Sequence, residues 1–196
     1  MRHHLIIGNQ SLRSGAFVAS LLAATNCVGA PPWVQPDRTQ REESLPALRV
    51  QLDPLRNRSW VLNDDSVSVY DATRRRLIQR IELSGWFYVS EVFACPPDLV
   101  ITPTGAALVT SNIVPTIWEI DPESLVAREH RLALDVDNDK DVGFIGLAYA
   151  RGGRELFGVS SLLGSLWKID LITDRAQRVQ LPGPNPDTCG SIALDK

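Results

Sequence analysis

The sequence predicts an all-β chain of propeller-type, four-stranded blades, about three repeats plus the first strand of a fourth, forming an incomplete or oligomer-completed propeller. Three observations carry that prediction. The segments Leu48–Asp71, Leu99–Asp121 and Leu147–Asp170 fall into register when the chain is laid on itself. The aspartates that close them are 50 and 49 residues apart (121 − 71 and 170 − 121), and four short strands in about 50 residues is the length of one blade. Within the segments apolar residues alternate, as in Val67-Ser68-Val69-Tyr70 and Ile117-Trp118-Glu119-Ile120, which is the period of a strand and not of a helix.

Each repeat has the same grammar. An apolar first strand runs into a tight turn at Pro54 to Asn57, Pro103-Thr104-Gly105 and Arg151-Gly152-Gly153; such clusters between β-rich runs are hairpin turns. The second strand follows at Trp60-Val61-Leu62, Leu108-Val109-Thr110 and Leu156-Phe157-Gly158-Val159. After a short polar loop the third strand ends on Asp71, Asp121 or Asp170, whose carboxylate can accept backbone N–H groups of the next turn. Fourth strands are expected around Leu77 to Leu83, Leu125 to Leu134 and Ala176 to Leu181. Trp118 and Trp167 occupy equivalent third-strand positions and are expected in the core. Blades therefore span about 45–94, 95–142 and 143–188, and residues 189–196 resemble the opening strand that begins at Cys95.

VSVYDATRRRLIQRIEL resembles the V-I-D-x-x-T-x-x-V-x-x-I unit of YVTN-type repeats, and LVITPTGAALVTS resembles the P-D-G-x-x-L-Y-V hairpin shared by YVTN, NHL and gluconolactonase-like blades. Thr104 and Gly152 stand where those hairpins carry an aspartate. The likeness covers roughly residues 45–196. It implies a propeller and frequent export, and it implies no particular substrate.

Residues 1–30 carry Arg2 and Arg13, no acid, and the apolar run Ala16 to Ala24 before the small residues that lead to Ala30. That pattern predicts a signal peptide over 1–30 and a periplasmic or secreted protein, with 31–44 an extended segment. The run is shorter than the ~20 residues a membrane span needs. Lipid attachment through Cys27 is a second option, although Ala24-Thr25-Asn26 departs from the small-residue box such signals carry. The net charge is -3, and loss of Arg2 and Arg13 would leave 18 basic against 23 acidic residues. An acidic chain without a basic stripe argues against nucleic acid as a partner. Processing would also leave His130 as the one histidine, which excludes multi-histidine metal sites within one chain. Cys95 and Cys189, two repeats apart, are expected as two buried thiols.

Candidate sites fall in loops, where a rigid scaffold carries function. Asp135, Asp137, Asp139 and Asp141 crowd the connection between repeats two and three and could hold calcium, which takes about 6–8 oxygen ligands. Lys140 and Gly146 depart from the helix-loop-helix calcium pattern, so a solvated loop is the competing expectation. Trp86 and Tyr88, flanking Phe87, could form a stacking platform for a flat ligand, or pack between blades. Asn63 and Asp64, with Asn112 in the equivalent loop of repeat two, could bind a ligand; the gluconolactonase resemblance implies a divalent metal held by such residues. Arg74-Arg75-Arg76 is expected as a solvated turn tip, and His130, between Glu129 and Arg131, as a surface residue.

The leading functional expectation is an exported binding or scaffold module for a small molecule or a protein, without catalysis. One alternative is a metal-dependent lactonase of the gluconolactonase-like kind. Another is the front end of a longer propeller protein without independent activity. A homo-oligomer that completes the ring is a further partner the repeat count admits.

Overall fold

The computed structural model describes residues 47–90, 95–135, 143–150, 153–161 and 163–181, all within one compact unit. The expected signal peptide, the segment 31–44 and the opening strand at 189–196 lie outside the described residues.

The described chain is all-β and forms three blade-like sheets. The first holds β1 (Arg49–Asp53), β2 (Arg58–Leu62), β3 (Ser66–Asp71) and β4 (Arg76–Glu82) in sequential antiparallel order. The second repeats this order with β5 (Leu99–Ile101), β6 (Ala107–Thr110), β7 (Thr116–Ile120) and β8 (Ala127–Arg131). The third contains β10 (Phe144–Tyr149), β11 (Leu156–Ser160), β12 (Leu166–Asp170) and β13 (Arg175–Val179). First strands lie innermost: β5 touches both β1 and β10.

Register gives every blade two faces, because successive side chains in a strand point to opposite sides. The front of blade one shows Trp60, Leu62, Val67, Val69 and Ile81, and these pack on Leu99, Ala107, Val109, Trp118 and Ile120 from the rear of blade two. The front of blade two, through Leu108 and Ile117, packs on Leu147, Leu156, Trp167 and Ile169 from the rear of blade three. The same side of each blade thus meets the same side of the next, which is how blades stack around an axis. Both third-strand tryptophans lie on rear faces, as core residues.

The turn after each third strand is built the same way three times. Asp71 Oδ1 accepts from Arg74 N (2.7 Å), Asp121 Oδ1 from Glu123 N and Ser124 N (3.0 and 2.7 Å), and Asp170 Oδ1 from Ile172 N (2.9 Å). Four residues after each aspartate the backbone turns left-handed, at Arg75, Leu125 and Asp174, with φ of 53, 56 and 51°.

One expected strand divides. In place of a single strand over Leu125 to Leu134, β8 stops at Arg131 and β9 (Ala133–Leu134) leaves blade two. It pairs in parallel with β13 and makes the third sheet five-stranded. Leu132 N donates to Pro115 O at 2.9 Å while Ala133 N and Asp135 N donate across to Asp174 O and Ala176 O, at 2.8 and 3.1 Å. Covering β13 in this way occupies backbone groups that an edge strand would leave open.

Candidate functional site

The loops between second and third strands lie at the same blade end as the starts of the inner strands, and the connection from blade one to blade two joins them there. Asn63 N donates to Ser66 O (2.8 Å) and its amide donates to Ser68 Oγ (3.0 Å), both tying the blade-one loop to β3. In blade two the equivalent loop holds the incoming connection. Asn112 Oδ1 accepts from Val89 N (3.1 Å), and its Nδ2 donates to Val89 O and Cys95 O (2.8 and 3.0 Å). Ser111 Oγ donates to Phe87 O at 2.9 Å, and the Trp86 indole donates to Thr110 O at 2.9 Å. Gly143 enters blade three so close to this loop that a Cβ there would stand 2.3 Å from Asn112 C and 2.4 Å from Ile113 N.

These bonds say what each expected site residue does here. Asn63 and Asn112 are buried and committed to loop geometry. Asp64 is exposed. Trp86 is buried in the seam between blades one and two, with the half-buried Tyr88 ring 5.8 Å away, so Trp86 is a packing residue. The outward-facing ring of the three is Phe87. Asp135 is exposed and accepts from Arg178 N at 3.1 Å, whereas Asp137, Asp139 and Asp141 lie outside the described residues. Among the described residues no three His, Cys, Asp or Glu side chains come together as a metal-binding group, and no helix is long and apolar enough to cross a membrane.

Asp98 went unnoticed in the sequence. It sits at the mouth of β5, where Oδ2 accepts from Leu147 N of blade three (2.9 Å), Oδ1 accepts from Leu99 N (2.9 Å), and Arg49 Nε of blade one lies 3.4 Å from Oδ1. One carboxylate therefore ties all three blades at the axis. Burial pushes its pKa up, against the opposing pull of those N–H groups and of Arg49. The one available signal was contrast, since Ala47 and Gly146 stand at the matching positions of the other repeats.

Two expectations are corrected. His130 is not at the surface: it is 1% exposed, with Nδ1 2.6 Å from Asp174 Oδ1 of blade three and Nε2 3.1 Å from Glu119 Oε2. Its front-face position on β8, beside Ile117, carries it into the seam. Cys95 is buried as expected, but it is disulfide-bonded and not a thiol; its partner lies outside the described residues.

Two shallow grooves lie at the opposite blade end. One, of about 400 Å³, runs between Thr104, Asp121 and Arg128. The other, of about 480 Å³, runs between Tyr149, Arg154 and Ile172.

No protein-family model matches this sequence, and no curated protein matches it. Among solved structures, Kuenenia stuttgartiensis hydrazine synthase is similar at a TM-score of 0.49 and 22% identity, over 67% of this chain and 36% of that one. KlHsv2 with loop 6CD replaced by a Gly-Ser linker is similar at 0.34 and 14% identity. Hsv2 of Kluyvelomyces marxianus is similar at 0.36 and 14% identity. Both Hsv2 matches cover 71% of this chain and 56% of theirs. The chain thus spans between about a third and just over half of the length of these structures.

Proposed function

We propose that this chain is an exported β-propeller-type binding or scaffold module whose contact face is the blade end that carries the loops between second and third strands. The observation that carries this reading is the division of labour in those loops. Asn63 fixes the blade-one loop that exposes Asp64, and Asn112, Ser111 and Trp86 fix the connection that exposes Phe87. A rigid scaffold under exposed loop residues is the usual arrangement of a binding surface. The basic, then apolar, then small-residue start supports export, as does a disulfide at Cys95, a bond that persists in oxidising compartments. The YVTN- and NHL-like hairpins support the same placement by resemblance.

The reading is tested by thermal-shift titration of sugars, sugar acids, lactones and short peptides against the purified protein. A ligand of this face raises the melting temperature of the wild type and loses that effect in Asp64→Ala and Phe87→Ala. A ligand whose shift survives both substitutions would place the contact face elsewhere. The lactonase-like alternative requires a divalent ion at Asp64 and Asn112, whose amide is already spent on Val89 and Cys95. Stoichiometric metal by elemental analysis, with chelator-sensitive melting, would favour it over simple binding.

A further inference from the structure

In the seam of blades two and three a buried imidazole stands between two acids, one from each blade. His130 Nδ1 lies 2.6 Å from Oδ1 of Asp174, in the turn after β12, and Nε2 lies 3.1 Å from Oε2 of Glu119 on β7. The imidazole is 1% exposed, whereas the Glu119 and Asp174 side chains are 36% and 38% exposed. Water reaches both acids while it is excluded from the ring. A charged carboxylate only accepts hydrogen bonds, and a neutral imidazole donates from one nitrogen alone. With a single ring proton, one of the two contacts sets a nitrogen lone pair against a carboxylate oxygen. Both become hydrogen bonds only when both ring nitrogens carry a proton.

The groups around this cluster fix what each acid does when it is not held by the ring. Arg128 shares the front face of β8 with His130, stands opposite Glu119, and enters no ion pair among the described residues. Arg128 and Glu119 both line the groove of about 400 Å³. Arg131, on the other face of β8, donates from Nε to Glu129 Oε2 at 2.9 Å. From β10 the Tyr149 phenol faces Glu119, and burial together with that charge pushes its pKa up. From β13, Arg175 is exposed, and Arg178 N donates to Asp135 Oδ1. Asp174 has a second task. Its C=O accepts from Ala133 N at 2.8 Å, where β9 is drawn onto β13.

We propose that the second ring proton of His130 works a pH-operated latch, which clasps the seam and withholds Glu119 from the groove. With both nitrogens protonated, the imidazolium donates to Asp174 and Glu119 at once, and each bond is charge-assisted. On loss of one proton to solvent the ring keeps the shorter contact, to Asp174, now as a weaker neutral donor. Glu119 is released to Arg128 and the groove that both line. The clasp is complete at low pH, and it loosens as pH rises through the imidazole range, about 6.5 in an unstructured chain. This goes beyond the binding reading above and does not depend on it.

Nitrogen-15 NMR of the histidine rings at about pH 5.5 and about pH 8.5, on either side of the imidazole range, tests it. The signal missing from His130→Gln is that of His130. Both its nitrogens should be protonated at the lower pH, and Nδ1 alone at the higher. Amide hydrogen exchange at Ala133, corrected for the intrinsic rate, reads the seam. Its protection should fall roughly threefold to tenfold between the two pH values, the net worth of one hydrogen bond. In Glu119→Gln the carboxamide can donate to the unprotonated Nε2 or accept from it when protonated, so that fall should shrink. Should His130→Gln fail to fold, Glu119→Gln carries the test through the exchange measurement alone. A ring in one protonation state at both pH values overturns the proposal, as does a single proton held on Nε2. An Ala133 protection that does not change with pH, or that falls as far in Glu119→Gln as in the wild type, overturns it as well.

Discussion

Aspartates in this fold titrate in opposite directions according to what surrounds them. In Asp71 and Asp121 the backbone N–H groups of the following turn hold the carboxyl below its ordinary range, and in Asp170 the Thr173 hydroxyl leads, with Ile172 N–H next. A lowered folded-state pKa adds stability above the ordinary carboxylate value of about 3.9 and loses it as pH falls through the lowered value. Asp98 is raised by burial, so its sign is reversed: protonation relieves the folded state as pH drops from the raised value toward about 3.9. Carboxyl NMR titration should therefore show Asp98 taking up its proton at higher pH than Asp71, Asp121 and Asp170, and Asp98→Asn should flatten that part of the stability profile. Equal midpoints for all four would contradict the assignment. Arg75 is exposed and holds φ 53°, a left-handed conformation that costs a side-chain-bearing residue about 1–2 kcal/mol and glycine little. Arg75→Gly should accordingly be neutral to stabilising by up to about 1 kcal/mol in urea unfolding. The closing aspartates were legible because an acid at a strand end has a local backbone use. Asp98 and His130 were not, because their partners come from other blades and no local spacing records them.

Elements were legible wherever period-two alternation met a turn cluster, and that covers most of the strands in the three sheets. Legibility failed at β9, where Ala133 and Leu134 continue the alternation of β8 without any breaker, yet change sheets because Asp174 and Ala176 offer carbonyls across the seam. The aromatic stretch was half legible, since Trp86 and Tyr88 have the composition of either a platform or a seam, and only the bond from the Trp86 indole to Thr110 O decides which. Seam energetics rest on the rear-face tryptophans. Trp118 packs in the first seam and donates its indole N–H to Ser84 O at 3.0 Å, while Trp167 fills the second, edge-on to Phe144 at 6.5 Å. Truncation of a buried tryptophan costs about 3–5 kcal/mol, so Trp118→Ala and Trp167→Ala should each lower unfolding free energy by about that much. Losses under ~1 kcal/mol would mean the seams are not packed as described.

On the scale of the molecule, polar links as well as apolar seams hold the blades to one another, among them the β9–β13 pairing, the Asp98 tie, the His130 pair of carboxylate contacts, and Arg56, whose Nε donates to Glu123 Oε1 at 2.7 Å from blade one to blade two. Cys95 itself carries a disulfide link. Such links stabilise by about 2–4 kcal/mol, so reduction should lower the denaturant midpoint by a corresponding amount; an unchanged midpoint under reducing conditions would show that the bond does not constrain the fold. The blade architecture was legible as a repeat because each blade is encoded locally. The seam partners and the disulfide were not, since they join positions far apart in the chain.

The measurement that bears most directly on the blade arrangement is a map of long-range NOEs between backbone amides and aromatic side chains. It should show the second and third strands paired as Trp60 with Val69, Val109 with Trp118, and Gly158 with Trp167. It should also place the Trp118 and Trp167 rings against blades one and two respectively. Strand pairs that join one repeat to another in a continuous ladder, or tryptophan rings that contact only their own sheet, would contradict the propeller-type seams.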